Sequence, residues 1–318
     1  MSTLYGLILI VLPVFLLVGF GYGAVRTKVF PEAGIDALIT FATNIAVPAL
    51  LFRSIYQLDL GTALNAGHLT SFYAGATLCF IGATLCSRIL WKRRPGESVA
   101  VGFSALFSNS VLLGLPIFAR GFGEEAMEPV YALIAFHAPF CYLVGIMTME
   151  FARRDGVAVR VALQRSARAM FRNALTVGIL LGFVFNLGHV PVPEPLAAMI
   201  DLLASAALPV ALFGLGGVLT RYKLRAEVSE ALMVSAFSLI LHPLIAYVLA
   251  AHVFGLGDAF VRAAVLIAAM PPGVNGYIFA AMYGRAVGTA ASTVLLATAL
   301  SVVTVTVWLG ILGGADFG

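Results

Sequence analysis

The sequence predicts an all-α membrane protein with ten transmembrane helices, arranged as two inverted repeats of five. Three observations predict this fold class. Of the 318 residues, 61% are hydrophobic and only 11% are charged, whereas about a quarter of the residues of a soluble domain are charged. The basic residues concentrate in connectors on one side of the predicted membrane. Motifs of the first half recur in the second half at a constant offset.

Apolar runs of about 20 residues, the length that crosses the hydrocarbon core, occur ten times. No basic segment or signal-peptidase site accompanies the first run, so we interpret it as a retained helix. The predicted spans are 4–25, 34–56, 66–90, 98–120, 129–151, 172–189, 195–219, 229–254, 258–284 and 288–312. The chain then divides into a first repeat (1–151), a basic connector (152–171) and a second repeat (172–318).

The positive charges predict the orientation. The face of the membrane that holds the connectors after odd-numbered spans carries 16 of the 19 Lys and Arg residues, and only Arg53, Arg120 and Arg262 fall on the other side. Because basic loops stay cytoplasmic, both termini are predicted outside the inner (plasma) membrane, on the periplasmic side. The connector 152–171 is either an interfacial helix on anionic lipid or a solvated basic loop.

Two pairs of motifs indicate the repeat. Ala46–Phe52 in span 2 matches Ala207–Phe213 in span 7, and Ile117–Gly123 in span 4 matches Ile278–Gly284 in span 9. Each pair shares four of seven positions at an offset of 161 residues. Because five spans is an odd number, the second repeat enters the membrane in the opposite direction, as in alternating-access transporters. Gly19 and Gly23, and likewise Gly178 and Gly182, have the spacing typical of closely packed helices.

Spans 4 and 9 both contain helix-breaking residues near their middles. An interrupted helix leaves free N–H groups at the start of its outgoing half, and their partial positive charge attracts an anion. Such backbone is tolerated at membrane depth only where protein or a water-filled cavity surrounds it. The alternative is that Pro and Gly only kink packed helices. The predicted site for a carboxylate-sized anion consists of Asn109, Ser110, Gly114, Pro116, Pro271, Pro272, Gly273 and Asn275.

Other polar residues within the spans are further candidates. His137 and His242 are candidates for carrying a coupled proton, the alternative being a histidine that bonds a neighbouring helix. Arg53 shares span 2 with Asn44, and both are candidates for contacting or steering the anion. Prolines in spans 2 and 7 either bend those helices or open carbonyl groups toward a cation.

Other classes of site find little support. The three cysteines lie in apolar segments without a CxxC pair or a histidine at metal spacing, so we expect no disulfide, metal or cofactor. The segment Gly214–Gly217 lacks the strand and spacing of a nucleotide-binding motif. Paired carboxylates and hydrolase motifs are also missing, so an enzyme is the least favoured class. The basic residues have a topological explanation and do not indicate nucleic-acid binding.

These motifs resemble those of the auxin efflux carrier family, whose prokaryotic branch includes malonate transporters. Asn109–Pro116 resembles the Asn-Thr-Gly-Phe-x-Gly-x-Pro signature of span 4, with Val111 where the family often has Gly. Pro271–Tyr277 is similar to the crossover motif of span 9, and Leu208–Gly216 to the motif of span 7. The resemblance implies ten helices in separate scaffold and transport domains, with spans 4 and 9 crossing. It also implies a crossover site made of Asn109, Pro116, Pro271, Pro272 and Asn275.

The leading hypothesis is a secondary transporter of small carboxylates, malonate-like in size, that works by alternating access. A proton gradient, a sodium gradient or the membrane potential would drive it. The alternatives are a membrane sensor for an organic acid, which would signal through the Arg-rich connector, and a sodium-coupled symporter of the bile-acid type. The expected partners are a small carboxylate, a coupling proton or sodium ion and the lipid bilayer, and a homodimer is compatible with this architecture.

Overall fold

The computed structural model describes residues 2–153, 174–222 and 227–313, and these residues are almost entirely helical. Within them no β-strand occurs, and one isolated antiparallel bridge joins Ser108 to Pro272. Seven helices of the described residues are long and apolar enough to cross a membrane: Tyr5–Arg26, Glu32–Tyr56, Ala66–Leu90, Glu128–Ala152, Glu194–Leu219, Val228–Val253 and Val287–Ile311. Two shorter apolar helices are Ser110–Phe122 and Ala174–Leu187. The prediction of an all-α, multi-pass membrane protein is confirmed.

The α-helices of the first half follow the predicted spans closely. Most of the predicted connector, from residue 154 to 171, lies outside the described residues. The helices before it are α1 (Ser2–Arg26), α2 (Glu32–Phe41), α3 (Val47–Tyr56), α4 (Leu60–Ala63), α5 (Ala66–Leu90), α6 (Pro95–Leu106), α7 (Leu115–Phe122) and α8 (Glu128–Arg153).

The second half continues in the same way. Its α-helices are α9 (Ala174–Leu187), α10 (Glu194–Leu219), α11 (Val228–Ala236), α12 (His242–Tyr247), α13 (Asp258–Ala268), α14 (Val274–Tyr283) and α15 (Val287–Ile311). Within the predicted spans 4 and 9, α6 is separated from α7, and α13 from α14.

Prolines explain three of the four π-helical turns among the described residues; the fourth, Val248–Val253, has no proline just after it. The turns Ala42–Ala46, Ser110–Gly114 and Phe237–Leu241 each end two residues before a proline, at Pro48, Pro116 and Pro243 respectively. Proline has no N–H for the carbonyl four residues earlier, and its ring collides with that carbonyl. A wider turn relieves the collision and leaves carbonyls free for side chains. One of these, the Leu239 carbonyl, accepts a hydrogen bond of 3.0 Å from Trp308 Nε1.

The chain divides into two compact units, each drawn from both halves of the sequence. Unit 1 consists of the described residues within 1–12, 64–166 and 222–318, and unit 2 of those within 13–63 and 167–221.

Unit 2 is held together by close helix packing at several glycines. A Cβ on Gly178 would lie 2.5 Å from the Pro48 carbonyl oxygen, and one on Gly182 would lie 2.8 Å from Ile55 Cβ, which confirms close packing at these two glycines. The same prediction for Gly19 and Gly23 is wrong, because no described atom of another helix lies within 4 Å of either Cβ position. Close contact in α1 instead falls on an intervening glycine, Gly21, whose Cβ would overlap the backbone of α10.

Unit 1 contains a buried ion pair that ties helix ends together. Glu230 of α11 is fully buried, and its carboxylate accepts hydrogen bonds from Ser87 Oγ at 2.7 Å, Arg93 Nη2 at 2.8 Å and Thr289 Oγ1 at 3.0 Å. These partners come from α5, the connector after it and α15. The hydrogen bond to Glu230 raises the pKa of Arg93, which keeps its charge. A buried carboxylate with this many donors is satisfied, so the cluster fixes the adjoining ends of three helices.

Arg120 attaches α7 to the first turns of α1, also within unit 1. Its guanidinium donates to the carbonyl oxygens of Leu9 and Ile10 at 3.0 and 2.9 Å. The Leu9 carbonyl is free because Pro13, four residues on, has no N–H. Arg120 therefore satisfies a backbone group that a proline released, and this role differs from the orientation signal that its position near a span end indicates.

Candidate functional site

The two interruptions in unit 1 lie side by side, and we call them the paired break, residues 107–109 and 269–273. α6 ends at Leu106, and Phe107 is extended, with φ −96° and ψ 93°. α13 ends at Ala268, and Gly273 is extended before α14, with φ −80° and ψ 170°. In each segment the backbone therefore leaves the helical conformation for a few residues before the next helical turn begins.

Backbone hydrogen bonds join the two segments of the paired break. The Asn109 N–H donates to the Pro271 carbonyl at 2.8 Å, and the Gly273 N–H donates to the Phe107 carbonyl at 3.1 Å. Ser108 and Pro272 lie between these bonds as an antiparallel bridge. Each segment thus supplies the partners that the other lost when its helix ended, which is the condition for irregular backbone inside a membrane.

A buried side-chain amide stands beside the start of α14. Asn109 is only 7% exposed and makes no capping hydrogen bond with the turn that follows it. A Cβ on Gly273 would lie 3.6 Å from Asn109 Cβ and 3.8 Å from Asn109 Cγ, which is ordinary contact. Gly273 itself has no side chain with which to cap α14, so the N–H groups of Val274 and Asn275 have no intrahelical partner. The amide and the helix N-terminus offer donors at the same place.

A second amide is oriented by a tyrosine. The Tyr142 hydroxyl of α8 donates to Asn275 Oδ1 at 3.2 Å, which directs the amide nitrogen of Asn275 away from the phenol. The rings of Phe103 and Phe107 flank Tyr142, with centroids 5.8 and 5.6 Å away. Sequence reasoning missed Tyr142, although it lies on the same helix as His137, five residues on.

His137 reaches the paired break, and His242 does not bond to it. His137 Nε2 lies 3.2 Å from the Ser108 carbonyl oxygen and 3.4 Å from Ser108 Oγ. His242 Nε2 lies 3.0 Å from the carbonyl oxygen of Phe72, on α5. Both imidazoles are buried, at 3% and 1% exposure. The two histidines that the sequence treats alike therefore have different partners.

The remaining predicted residues divide between the two units. Ser110 is buried in the π-turn just after the break. Gly114 ends that turn, where a Cβ would lie 2.9 Å from Ile267 Cδ1 of α13, and Pro116 is the second residue of α7. Asn44 and Arg53 belong to unit 2. There Asn44 is exposed, and Arg53 forms an ion pair of 3.3 Å with Asp201.

The polar and aromatic side chains in and around the paired break are amides, hydroxyls, an imidazole and aromatic rings. Across the described residues, no group of three or more His, Cys, Asp or Glu side chains is placed to hold a metal ion. Amide and backbone N–H donors are suited to an anion.

Together, apolar helices and an interior set of hydrogen-bond donors define a multi-pass membrane protein with a polar site inside one unit. The chain belongs to the auxin efflux carrier family. A family model described as "Membrane transport protein" matches residues 7–309, and the predicted family membership is confirmed.

Two relatives are similar along nearly their whole length. A protein of Rhizobium meliloti (strain 1021) named "Putative malonate transporter" is 30% identical over 306 residues, which cover 93% of each chain. An "Uncharacterized transporter" of Methanothermobacter thermautotrophicus is 29% identical over 308 residues, covering 94% of this chain and 96% of the relative. The family and both relatives are transporters by description.

Proposed function

We propose that this protein is a secondary transporter of small organic anions, of the size and charge of malonate, that binds its substrate at the paired break. The observation that carries the proposal is that the buried side-chain amide of Asn109, which caps no helix, lies beside the uncapped N-terminus of α14. Family membership supports transport, and the name of the Rhizobium meliloti relative supports a dicarboxylate as the first substrate to test.

The paired break can bind a carboxylate through three kinds of donor. The Asn109 amide and the Asn275 amide supply side-chain N–H groups, the latter oriented by Tyr142. The first N–H groups of α14 add backbone donors at the positive end of the helix dipole. Gly273 has no side chain with which to cap α14, so the first N–H groups of that helix stay open to an anion. Pro271 and Pro272 keep the segment from becoming helical. Ser110 adds a hydroxyl donor next to Asn109.

The proposed topology has ten spans. The seven long helices and α9 supply eight, and the interrupted pairs α6 with α7 and α13 with α14 supply two more. Two repeats, 1–151 and 172–318, then run in opposite directions on either side of the connector 152–171, with both termini on the periplasmic side of the inner membrane. Alternating access needs two bodies, and the chain divides into two compact units.

Coupling to a proton or a sodium ion is part of the proposal, with His137 and His242 as the candidate proton carriers. Arg53 of unit 2 is proposed to steer the anion through its charge, and Asn44 of the same unit is proposed to contact the anion. The Arg53 side chain is a third exposed and forms an ion pair with Asp201. Solvent and the Asp201 carboxylate therefore weaken its attraction for an anion.

Flux measurements on purified protein in liposomes test this function. We expect labelled malonate to be taken up by the wild type, and the double variant Asn109→Ala/Asn275→Ala to lose at least about tenfold in apparent affinity. A hydrogen bond to a charged group contributes about 1.5–3 kcal/mol. Thr306→Ala is a matched control, because this hydroxyl donates only to the Val302 carbonyl of its own helix. Wild-type liposomes without flux of malonate or other small carboxylates would contradict the function, and equal affinities in both variants would contradict the site.

A further inference from the structure

We propose that His137 takes up one proton when an anion binds at the paired break, so that proton and anion move across the membrane together. This inference rests on the proposed function and adds the identity of the coupling ion and of its site. It also separates His137 from His242, which the sequence offers as an equal candidate.

His137 contacts the backbone of the residue that precedes Asn109, one of the proposed anion donors. Its Nε2 contacts the carbonyl oxygen of Ser108 at 3.2 Å, and Ser108 directly precedes Asn109. A charge on the imidazole is therefore one residue away from the amide that faces the proposed anion. His242 bonds the Phe72 carbonyl at 3.0 Å, and its ring reaches His137 only through the Phe72 ring, which contacts both histidines.

The hydrogen bonds around His137 determine where a proton can be added. A carbonyl oxygen only accepts, so Nε2 carries a hydrogen whether the imidazole is neutral or charged. The remaining lone pair is on Nδ1, which lies 3.7 Å from the Cys141 thiol. A hydronium ion delivers the added proton, so one of its O–H bonds breaks as the N–H bond at Nδ1 forms, and water is released.

The thiol can serve both protonation states without movement of heavy atoms. Cys141 Sγ lies 3.7 Å from Nδ1 and also 3.7 Å from the Leu106 carbonyl oxygen. In the neutral state the S–H donates to Nδ1. In the charged state Nδ1–H donates to the sulfur, and the S–H turns to the Leu106 carbonyl. The site is built to accept either form.

The surroundings make the charge depend on the anion. The titratable groups facing His137 are Tyr73 of α5 and Cys141 of α8, with His242 of α12 behind Phe72. None of these described neighbours is a carboxylate. The aromatic rings of Phe72 and Phe107 pack against the His137 ring in edge-to-face geometry, with centroid distances of 5.5 and 4.8 Å. An imidazolium buried in such surroundings is costly when it is alone, and an anion at Asn109 offsets that cost.

The coupling must act in both directions. If a bound anion favours the proton on His137, then the proton favours the anion by the same factor. Anion affinity should accordingly rise as pH falls, and net transport should carry protons in the direction of the anion.

Calorimetry in buffers of different ionisation enthalpy tests the inference, because it counts the protons taken up with each ligand. We expect the wild type to take up about one proton per malonate bound, and His137→Gln to bind malonate with proton uptake near zero. Glutamine retains an N–H for the Ser108 carbonyl, so the paired break can keep its geometry. In liposomes, His137→Gln should keep malonate exchange while losing accumulation driven by a pH gradient.

His242→Gln is the matched control, since it removes an equally buried imidazole that bonds a different helix. It should keep the proton uptake of the wild type. The inference is overturned if His137→Gln takes up protons as the wild type does, if the wild type binds malonate without proton uptake, or if both glutamine variants lose uptake alike. Absence of malonate binding and flux in the wild type is a separate outcome that overturns the proposed function and this inference with it.

Discussion

The two halves of the paired break interrupt their helices for different reasons. At residues 269–273, local chemistry is sufficient, because Pro271 and Pro272 have no N–H and the residue before a proline is driven out of the helical region. At residues 107–109 no proline or glycine is present. Here the helix ends where the Phe107 carbonyl and the Asn109 N–H bond the other segment. The second break is encoded locally, and the first is imposed by its partner.

This difference predicts that α14 contributes more to anion binding than the helix after the first break. The outgoing half of the first break begins as a π-turn, whereas α14 begins as a regular helix behind an open glycine. Free N–H groups of a regular first turn point along the axis toward one place. Three experiments address the comparison.

The largest effect is expected from Gly273→Asp. The backbone angles of Gly273 are extended, and a Cβ there makes only ordinary contacts, so the aspartate can cap α14 and occupy the anion position. At about 4 Å and an effective dielectric of about 20, the repulsion of a second anion is about 4 kcal/mol, or roughly a thousandfold in affinity. The unfolding temperature should be unchanged or slightly higher, because aspartate caps a helix at least as well as glycine. Malonate titration checks this, with Gly273→Ala as the variant expected to bind normally.

If Gly273→Asp binds malonate within about threefold of Gly273→Ala, the N-terminus of α14 is not where the anion lies. Ser110→Asp, which places the same charge at the first break, should then be compared. An equal loss in both variants would show that the two helix starts contribute alike.

An intermediate effect is expected from Pro271→Ala/Pro272→Ala. These changes remove the local reason for the second break, and the first break should lose its bonding partner as a consequence. Flux should fall by about two orders of magnitude, the cost of misplacing binding groups by about 1 Å. Amide hydrogen exchange at Asn109 should become faster, because its N–H donates to the Pro271 carbonyl.

Pro116→Ala provides the contrast on the first side. Pro116 lies beyond the break, so its replacement should narrow the π-turn. The backbone N–H of Asn109 should stay protected from hydrogen exchange. Faster exchange at Asn109 in Pro116→Ala, and not in the double proline variant, would reverse the comparison.

The smallest effect is expected from Tyr142→Phe. The phenol orients the Asn275 amide on the second side, and Asn109 on the first side has no such support among the described residues. Loss of one hydrogen bond between uncharged groups costs about 0.5–1.5 kcal/mol, or about two- to tenfold in malonate affinity. Tyr73→Phe is the control, because its hydroxyl donates to the Leu133 carbonyl instead. Equal affinities for the two phenylalanine variants would show that Asn275 needs no orientation.

Several features of the site could be read from single residues. The Pro-Pro-Gly run indicates an interruption, and in the structure residues 269–273 lie between α13 and α14. Pro116 predicts a disturbance, but the structure shows a widened turn there and puts the interruption seven to nine residues earlier. No local signal separates Phe107 and Ser108 from ordinary helical residues, so sequence reasoning could name Asn109 as a polar candidate but could not find the pairing.

Composition and apolar runs of about 20 residues determined that the protein is an all-α membrane protein, because a helix of that length crosses the hydrocarbon core with its backbone groups satisfied internally. The motifs indicated the family, and the prolines indicated which helices are disturbed. Only the tertiary structure decided that Tyr142 meets Asn275, 133 residues away, and that His137 rather than His242 touches the break. Such contacts depend on how helices pack, since each side chain of a buried helix has several neighbours within reach and packing selects among them.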